Sequence, residues 1–472
     1  MVYSHAMSAP PSVPAGSTKY VLLRQIGLYA ATAITVGNIV GSGIFRSPNS
    51  VAQEITSLSP VLFAWILGGV LSMCGSLVLA ELAALHPRTG GLYVFIREAF
   101  GDLWAFVFGW ASLWVIKPTV IASITSVFAL YFCEAVGLPG STQFLVGAAA
   151  IALLTFVNWL GVREGAGTQT LFTTAKVVGI LGLVAIAFGL PHGGPPPDAP
   201  AAVLPAAKPF LAALVAAMIP VLFAYDGWTD VTYVGGEVRN PARVLPVAIV
   251  GGTAIVIVLY VLANLAYYAV LSPAEVAAYP AVANETVRRI LGPGGVTLLA
   301  GLVAISTFGT TNGAILTGPR VTQAMASDGL LWRVAARLHP SRSTPDVALL
   351  LQGALAIVWL LFSRGFEDLS GWFVTTSWLV YGLAIAAVFI YRKRERVPGS
   401  VLAQERAQAE AEAGGRLYRT PLYPVTPILF VLVTAFLIVS DLTASGWRAW
   451  AGVGIASLGV PVYFAWKRGR RG

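Results

Sequence analysis

Between residues 26 and 466 the chain is a near-continuous succession of apolar runs, each about long enough to cross a bilayer. A hydrocarbon core about 30 Å thick takes roughly 20 helical residues. The runs are uniformly apolar rather than alternating, so they do not read as barrel strands; helices satisfy every backbone N–H and C=O within the segment itself. Only 11% of the residues are charged and 57% are hydrophobic, whereas a soluble domain carries roughly 25% charged residues. The sequence therefore predicts an all-α integral membrane protein.

Twelve transmembrane helices are predicted, at 26–50, 60–85, 102–136, 144–160, 168–190, 210–238, 246–271, 296–325, 347–362, 369–391, 424–439 and 447–466. They divide the chain into a cytoplasmic N-terminal tail (1–24), a first group of five spans (25–190) and an external Pro-rich loop (191–209). A second group of five (210–391), a cytoplasmic linker (392–420) and two final spans with a basic tail (421–472) follow. The tail is rich in Ser, Pro and Ala and has no apolar core followed by a cleavage site, so it is not read as a signal peptide.

The formal charge of +9 could suggest nucleic acid. Instead, the cations cluster before span 1 and after spans 2, 6, 8, 10 and 12, which all lie on one side. The positive-inside rule puts that side, and both termini, in the cytoplasm. Arg288 and Arg289 run against the trend. Cys74 and Cys133 are far apart and offer neither a disulfide framework nor a metal motif. No HExxH, P-loop or coherent Ser/His/Asp set appears, so the chain is not read as an enzyme.

Within span 1, Gly37, Gly41 and Gly43 stand where a membrane helix gains nothing from them. Within span 6, Phe223-Ala224-Tyr225-Asp226-Gly227-Trp228 makes a second break. The two interrupted spans begin successive groups of five, and an odd number of spans per group inverts the second group relative to the first. Interrupted helices at matching positions of inverted halves point to a transporter binding site. Freed amides attract an anion and freed carbonyls a cation. The breaks thus suit a zwitterion, with carboxylate at Gly41, Ser42, Gly43 and Ile44, and ammonium at Ile39, Val40 and the carbonyls of Phe223, Ala224 and Tyr225, with Gly227 completing the second break. The expected ligand is an α-amino acid.

Lys176 lies inside span 5, where an unpartnered ammonium costs about 2.5 to 3.5 kcal/mol. It is expected to hold the unwound part of span 1, standing in for a bound metal cation; the alternative is a lysine whose head reaches the interface. For Asp226, pairing with Lys176, binding a cationic substrate, accepting protons and capping the inner half of span 6 all remain open. Lys117 reads as a structural interior cation. Glu81 and Glu237 read equally as gating ion pairs or solvated faces, and Tyr225, Trp228, Phe308 and Trp378 are candidates for a side-chain pocket.

These motifs together, Gly41-Ser42-Gly43-Ile44-Phe45, Ala80-Glu81-Leu82, Gly90-Gly91-Leu92-Tyr93, Phe223 to Trp228, Gly236-Glu237-Val238-Arg239-Asn240-Pro241 and Leu245-Pro246, resemble the amino acid/polyamine/organocation superfamily. Ile116-Lys117-Pro118, Ser306 to Gly313 and Arg419 to Pro424 look like its L-type amino acid transporter branch, in a prokaryotic form. The resemblance covers about residues 25–440. It implies a LeuT-type fold, a 5+5 inverted repeat with helices 1 and 6 broken and two peripheral helices. It also implies that the Gly-Ser-Gly stretch takes the carboxylate, that Lys176 stands near a lost sodium site, and that Asn312 lies near the substrate. Cys133 is not where subunit-linked relatives carry a bridging cysteine, so no obligatory disulfide-linked subunit is expected. The linker from Val397 to Arg416 is longer than the family suggests and reads as a cytoplasmic helix.

The expected function is sodium-independent secondary transport of L-amino acids, neutral ones first, by exchange or facilitation across a bacterial inner membrane. No cofactor or nucleic acid is implied; the partners are substrate and membrane lipid. The alternatives are a proton-coupled importer of cationic amino acids or polyamines using Asp226, and a transporter-like sensor.

Overall fold

The computed structural model describes residues 24–194, 208–362, 366–444 and 447–469. The tail through residue 23 and most of the Pro-rich loop, residues 195–207, lie outside them. Among the described residues, regular structure is helical apart from one isolated bridge between Ile26 and Val238.

The first span is two helices, α1 (Leu28–Ile39) and α2 (Gly43–Glu54), parted at residues 40–42. After α3 (Leu58–Leu85) and the short α4 (Leu92–Phe100), the third span runs through α5 (Asp102–Ala111), a single π turn at Ser112–Ile116 and α6 (Lys117–Val136). Pro118 lacks the N–H that would bond the Trp114 carbonyl one turn back. Trp359 Nε1 donates to that carbonyl instead, at 2.9 Å. Such π turns often mark functional positions, and this one is followed at once by Lys117.

Next come α7 (Gln143–Leu160), α8 (Val162–Gly189) and α9 (Phe210–Ala224). The break falls near Tyr225 as expected, but the inner half of span 6, through Val238, is not the α-helix expected there. The chain makes a turn at residues 225–229 and then a 3₁₀ run, Asp230–Glu237. The cause lies in composition. Gly227 adopts φ +115°, a conformation that side chains disfavour, and Asp, Thr and Gly are weak helix formers throughout this stretch.

The remaining helices are α10 (Pro241–Val270), α11 (Pro273–Ala278), α12 (Val282–Leu291), α13 (Pro293–Thr317), α14 (Pro319–Ser327), α15 (Asp346–Phe362), α16 (Phe366–Glu395), α17 (Val401–Ala413), α18 (Val425–Ala444) and α19 (Trp447–Gly469). Among the described residues nine stretches are long and apolar enough to cross a membrane, with α9 and α15 as shorter apolar helices. Their outward faces carry Phe63, Val70, Leu145, Leu153, Phe156, Leu171 and Val178, side chains suited to lipid. This is a multi-pass membrane protein.

α11 and α12 form a small lid braced by Arg289, which meets Glu285 at 2.6 Å and Glu275 at 2.8 Å. The two arginines that break the charge trend are therefore engaged locally, Arg288 also with Glu285. Burial raises the Glu275 carboxyl, but Arg289 and the Ser272 amide and hydroxyl outweigh it and hold the carboxyl below its usual range. A depressed folded value means stability that is present above the usual range and lost as pH falls through the folded value. Glu275→Gln is expected to lower the unfolding temperature by about 1 to 2 °C at neutral pH and to flatten the acid-side decline. Superimposable pH profiles for variant and wild type would refute this.

The linker helix α17 inserts Arg406, only 4% exposed, between Glu395 and Glu81. Glu81 also takes two bonds from Arg392, both at 2.8 Å, and one from the Thr420 amide.

Candidate functional site

α1 is enclosed by α8, α10 and α13, and α2 lies against α9. Every residue from Ala33 to Ile39 is buried, as expected of a helix apolar on all sides. The two breaks touch through glycine. A Cβ on Gly43 would stand 2.5 Å from Ala224 Cα, and one on Gly227 would stand 2.6 Å from the Asn38 carbonyl carbon. Tyr260 of α10 spans the junction, its hydroxyl 2.8 Å from the Ile39 carbonyl and 2.9 Å from that of Ala224.

On one side of the break, Lys176 Nζ of α8 donates to the Gly37 carbonyl at 2.8 Å, the Val40 carbonyl at 2.7 Å and Thr310 Oγ1 at 2.8 Å. Its three donors are used, and the residue is fully buried. Thr310 of α13 lies 3.0 Å from the same two carbonyls. On the other side, Phe45 and Arg46 N bond back to the Ser42 carbonyl, while the Gly43 and Ile44 amides at the start of α2 have no backbone acceptor, which leaves them for an anion. Ser42 Oγ is buried beside them without a protein partner. Between the poles is a cavity of about 20 Å³, walled by Gly41, Ser42, Gly43, Phe223, Asp226 and Phe373 among others. It has room for about one water, so a ligand requires the walls to part.

The candidate residues fall into distinct places. The Ile39, Val40 and Ala224 carbonyls are already held by Tyr260 and Lys176, and the Ile44 carbonyl accepts from Tyr267 at 3.2 Å. The Tyr225 ring turns away from the cavity to pack on Trp65 and Tyr260. Asp226 faces the cavity, where Oδ1 accepts from Tyr381 at 2.9 Å. Neither the helix cap nor the Lys176 pair describes it: the 3₁₀ run begins four residues later, and Lys176 is occupied elsewhere. Asn312 is away from the cavity, accepting from Asn158 at 2.8 Å and donating to the Gly165 carbonyl at 3.1 Å and to Gln169 at 3.3 Å. Phe308 packs on Phe128 and Phe172, while Trp228 and Trp378 pack on Phe430. The aromatic rings that do line the cavity are Phe223 and Phe373, edge to face at 6.0 Å.

Sequence reasoning missed the contacts that Tyr260, Thr310, Asn38 and Asp230 make around the breaks. Tyr260, Asn264 and Tyr267 recur at helical spacing along one face of α10, a polar stripe in an otherwise apolar helix that could have flagged it.

Both ends of the site are shut. At the end nearest α11, Asn49 of α2 donates to the Val276 and Ala277 carbonyls at 3.0 and 2.9 Å. At the other end, the Gln25 and Ile26 amides bond the Glu237 carbonyl at 2.9 and 3.0 Å, and Arg239 N bonds the Ile26 carbonyl at 2.8 Å. The Glu237 carboxylate is buried against Arg320 at 3.1 Å. Glu81 and Glu237 are thus both ion-paired rather than solvated.

A family model described as amino acid permease matches residues 26–456. The serine/threonine exchanger SteT of Bacillus subtilis (strain 168) is 32% identical over 452 residues, covering 95% of this chain and 98% of that protein. The b(0,+)-type amino acid transporter 1 of Mus musculus is 34% identical over 430 residues, 89% of this chain and 83% of its own length. The large neutral amino acids transporter small subunit 2 of Homo sapiens is 32% identical over 470 residues, 97% of this chain and 83% of its own. With that match over nearly the whole length, and with two broken spans meeting at a small cavity, the chain belongs to the amino acid permease family of the amino acid/polyamine/organocation superfamily.

Proposed function

We propose that the protein is a sodium-independent exchanger of L-amino acids, neutral ones first, working by alternating access with the α-amino and α-carboxylate groups held between the two breaks. The observation that carries this is the Lys176 amino group, seated on the Gly37 and Val40 carbonyls. It places a donor where unwound backbone would otherwise attract a metal cation, so the turn keeps its shape without an ion. Exchange follows the Bacillus subtilis relative, a serine/threonine exchanger.

In this reading twelve spans form two inverted groups of five, 25–190 and 210–391, with spans 11 and 12 peripheral and both termini in the cytoplasm of a bacterial cell. Access from the cytoplasm requires the start of α1 to leave Glu237 and Arg239. Access from outside requires α2 to leave the α11 lid. Cys133 is buried and lies 3.6 Å from the Thr142 hydroxyl, which supports action without a disulfide-linked subunit. A second reading, transport of cationic side chains, is favoured by the Asp226 carboxylate facing the cavity.

Counterflow tests both. Proteoliposomes preloaded with unlabelled amino acid are expected to take up labelled neutral L-amino acids without sodium, and lysine or arginine uptake would establish the second reading. Uptake that needs no internal substrate but follows an inward proton gradient would sink exchange, and uptake limited to binding stoichiometry would indicate a sensor.

A further inference from the structure

A line of buried polar side chains crosses the centre of the molecule beside the site. Lys117 Nζ donates to Asp230 Oδ1 at 2.7 Å, and Asn38 Nδ2 donates to Asp230 Oδ2 at 2.7 Å. Gln169 Nε2 then donates to Asn38 Oδ1 at 3.1 Å, Asn312 Nδ2 to Gln169 Oε1 at 3.3 Å, and Asn158 Nδ2 to Asn312 Oδ1 at 2.8 Å. All six residues are buried. Each amide passes its donor toward the same end.

The common direction has a chemical origin. An amide can present either oxygen or nitrogen to a neighbour, but a carboxylate only accepts. Asn38 must therefore turn its nitrogen to Asp230 and its oxygen to Gln169, which fixes Gln169, and so on to Asn158. Lys117, aimed inward just after the π turn, neutralises the carboxylate that sets this order; a buried carboxylate without a partner is strongly disfavoured. Bonds in such a chain polarise one another in a low-dielectric interior.

Only Asn38 of this line borders the cavity. It is the last polar side chain before the unwound turn, its backbone carbonyl lies against Gly227, and the next carbonyl, Ile39, is held by Tyr260. We propose that Asp230 is a positioning residue for substrate binding: by orienting Asn38 it sets where the carbonyls of residues 37–40 point, and hence the pole that receives the ammonium group. The proposal rests on the transport reading and deepens it.

A residue that shapes the backbone poles acts on what all α-amino acids share, whereas one in the side-chain region acts on what distinguishes them. The test uses proteoliposome counterflow with the two radiolabelled L-amino acids that the wild type takes up fastest. Asp230→Asn is expected to raise KM about tenfold, by the same factor for both, with a smaller effect on maximal rate. Asp226→Asn, at the cavity wall, is expected to shift the two unequally. Adding Lys117→Gln to Asp230→Asn removes the stranded cation and leaves an amide oxygen free for Asn38, so most of the loss should return. An unchanged KM, factors that differ more than threefold between substrates, or no recovery in the double variant would each overturn the proposal. Should Asp230→Asn not reach the membrane folded, Gln169→Leu cuts the same line without stranding a charge. It is expected to raise KM for both substrates by an equal factor of about three, and no rise would overturn the proposal. Absence of counterflow in the wild type would instead defeat the transport reading itself.

Discussion

Replacing Gly43 by valine is expected to abolish amino acid binding while folded protein still reaches the membrane. The added Cβ would stand 2.5 Å from Ala224 Cα and 2.7 Å from its Cβ, and neither belongs to a flexible side chain that could rotate away. The start of α2 must therefore shift from α9, carrying its free amides out of line with the carbonyl pole. Overpacking of this kind typically costs about 1 to 3 kcal/mol, which a protein with such extensive buried packing can absorb. A carboxylate that loses two charge-assisted bonds, each worth about 1.5 to 3 kcal/mol, should bind at least a hundredfold more weakly. Ligand-induced thermal stabilisation, followed on detergent-solubilised protein with a monodisperse elution profile, reads both properties. Normal affinity in the variant would remove the breaks as the binding site.

Truncating Lys176 to alanine should have the next largest effect, a fall in exchange rate of about ten- to a hundredfold. Its amino group is completely buried and serves two main-chain carbonyls and the Thr310 hydroxyl. Leaving buried acceptors unmade costs about 1 to 3 kcal/mol each. Thr310 has one hydrogen to offer and cannot serve both carbonyls, so the turn at residues 37–40 should loosen. Exchange measured with and without sodium gives a specific readout, because recovery by sodium would show that a small cation can occupy the place of the amino group. Wild-type rates in Lys176→Ala would refute its role.

The all-helical, membrane-crossing character was legible because the membrane dictates span length. Runs such as 60–85 and 102–136 announce themselves by apolarity alone. The inner part of span 6 misled the reading because Val231, Tyr233, Val234 and Val238 keep it apolar while Asp226, Gly227, Asp230, Gly235 and Gly236 prevent an α-helix. Apolarity reports burial there, and backbone conformation is a separate matter.

The site was half legible for a related reason. Glycines mark a break because their conformational freedom is local, so Gly41, Gly43 and Gly227 could be read from the chain. Contacts of Tyr260, Thr310, Asn38 and Asp230 depend on how each helix is rotated about its axis. In helices that are apolar on most sides no hydrophobic stripe records that rotation, and only a sparse polar spacing such as Tyr260, Asn264 and Tyr267 on α10 hints at it. The same ambiguity made Tyr225, Trp228, Phe308 and Trp378 pocket candidates, whereas the structure packs them elsewhere and brings in Phe373.

The direct contact between Gly43 and Ala224, with one tyrosine hydroxyl reaching a carbonyl from each break, makes the junction a ruler. In this closed arrangement the distance from the amides of α2 to the carbonyls of α1 and α9 is set by the close approach of Gly43 to Ala224, from which the walls part to admit a ligand. In the transport reading such a gauge matches the one dimension that every α-amino acid has in common, and a molecule whose two charged groups stand an extra methylene apart is expected to bind more weakly. In the same reading, selection among α-amino acids is expected to fall to the wall formed by Phe223, Asp226 and Phe373, which can change without altering the gauge.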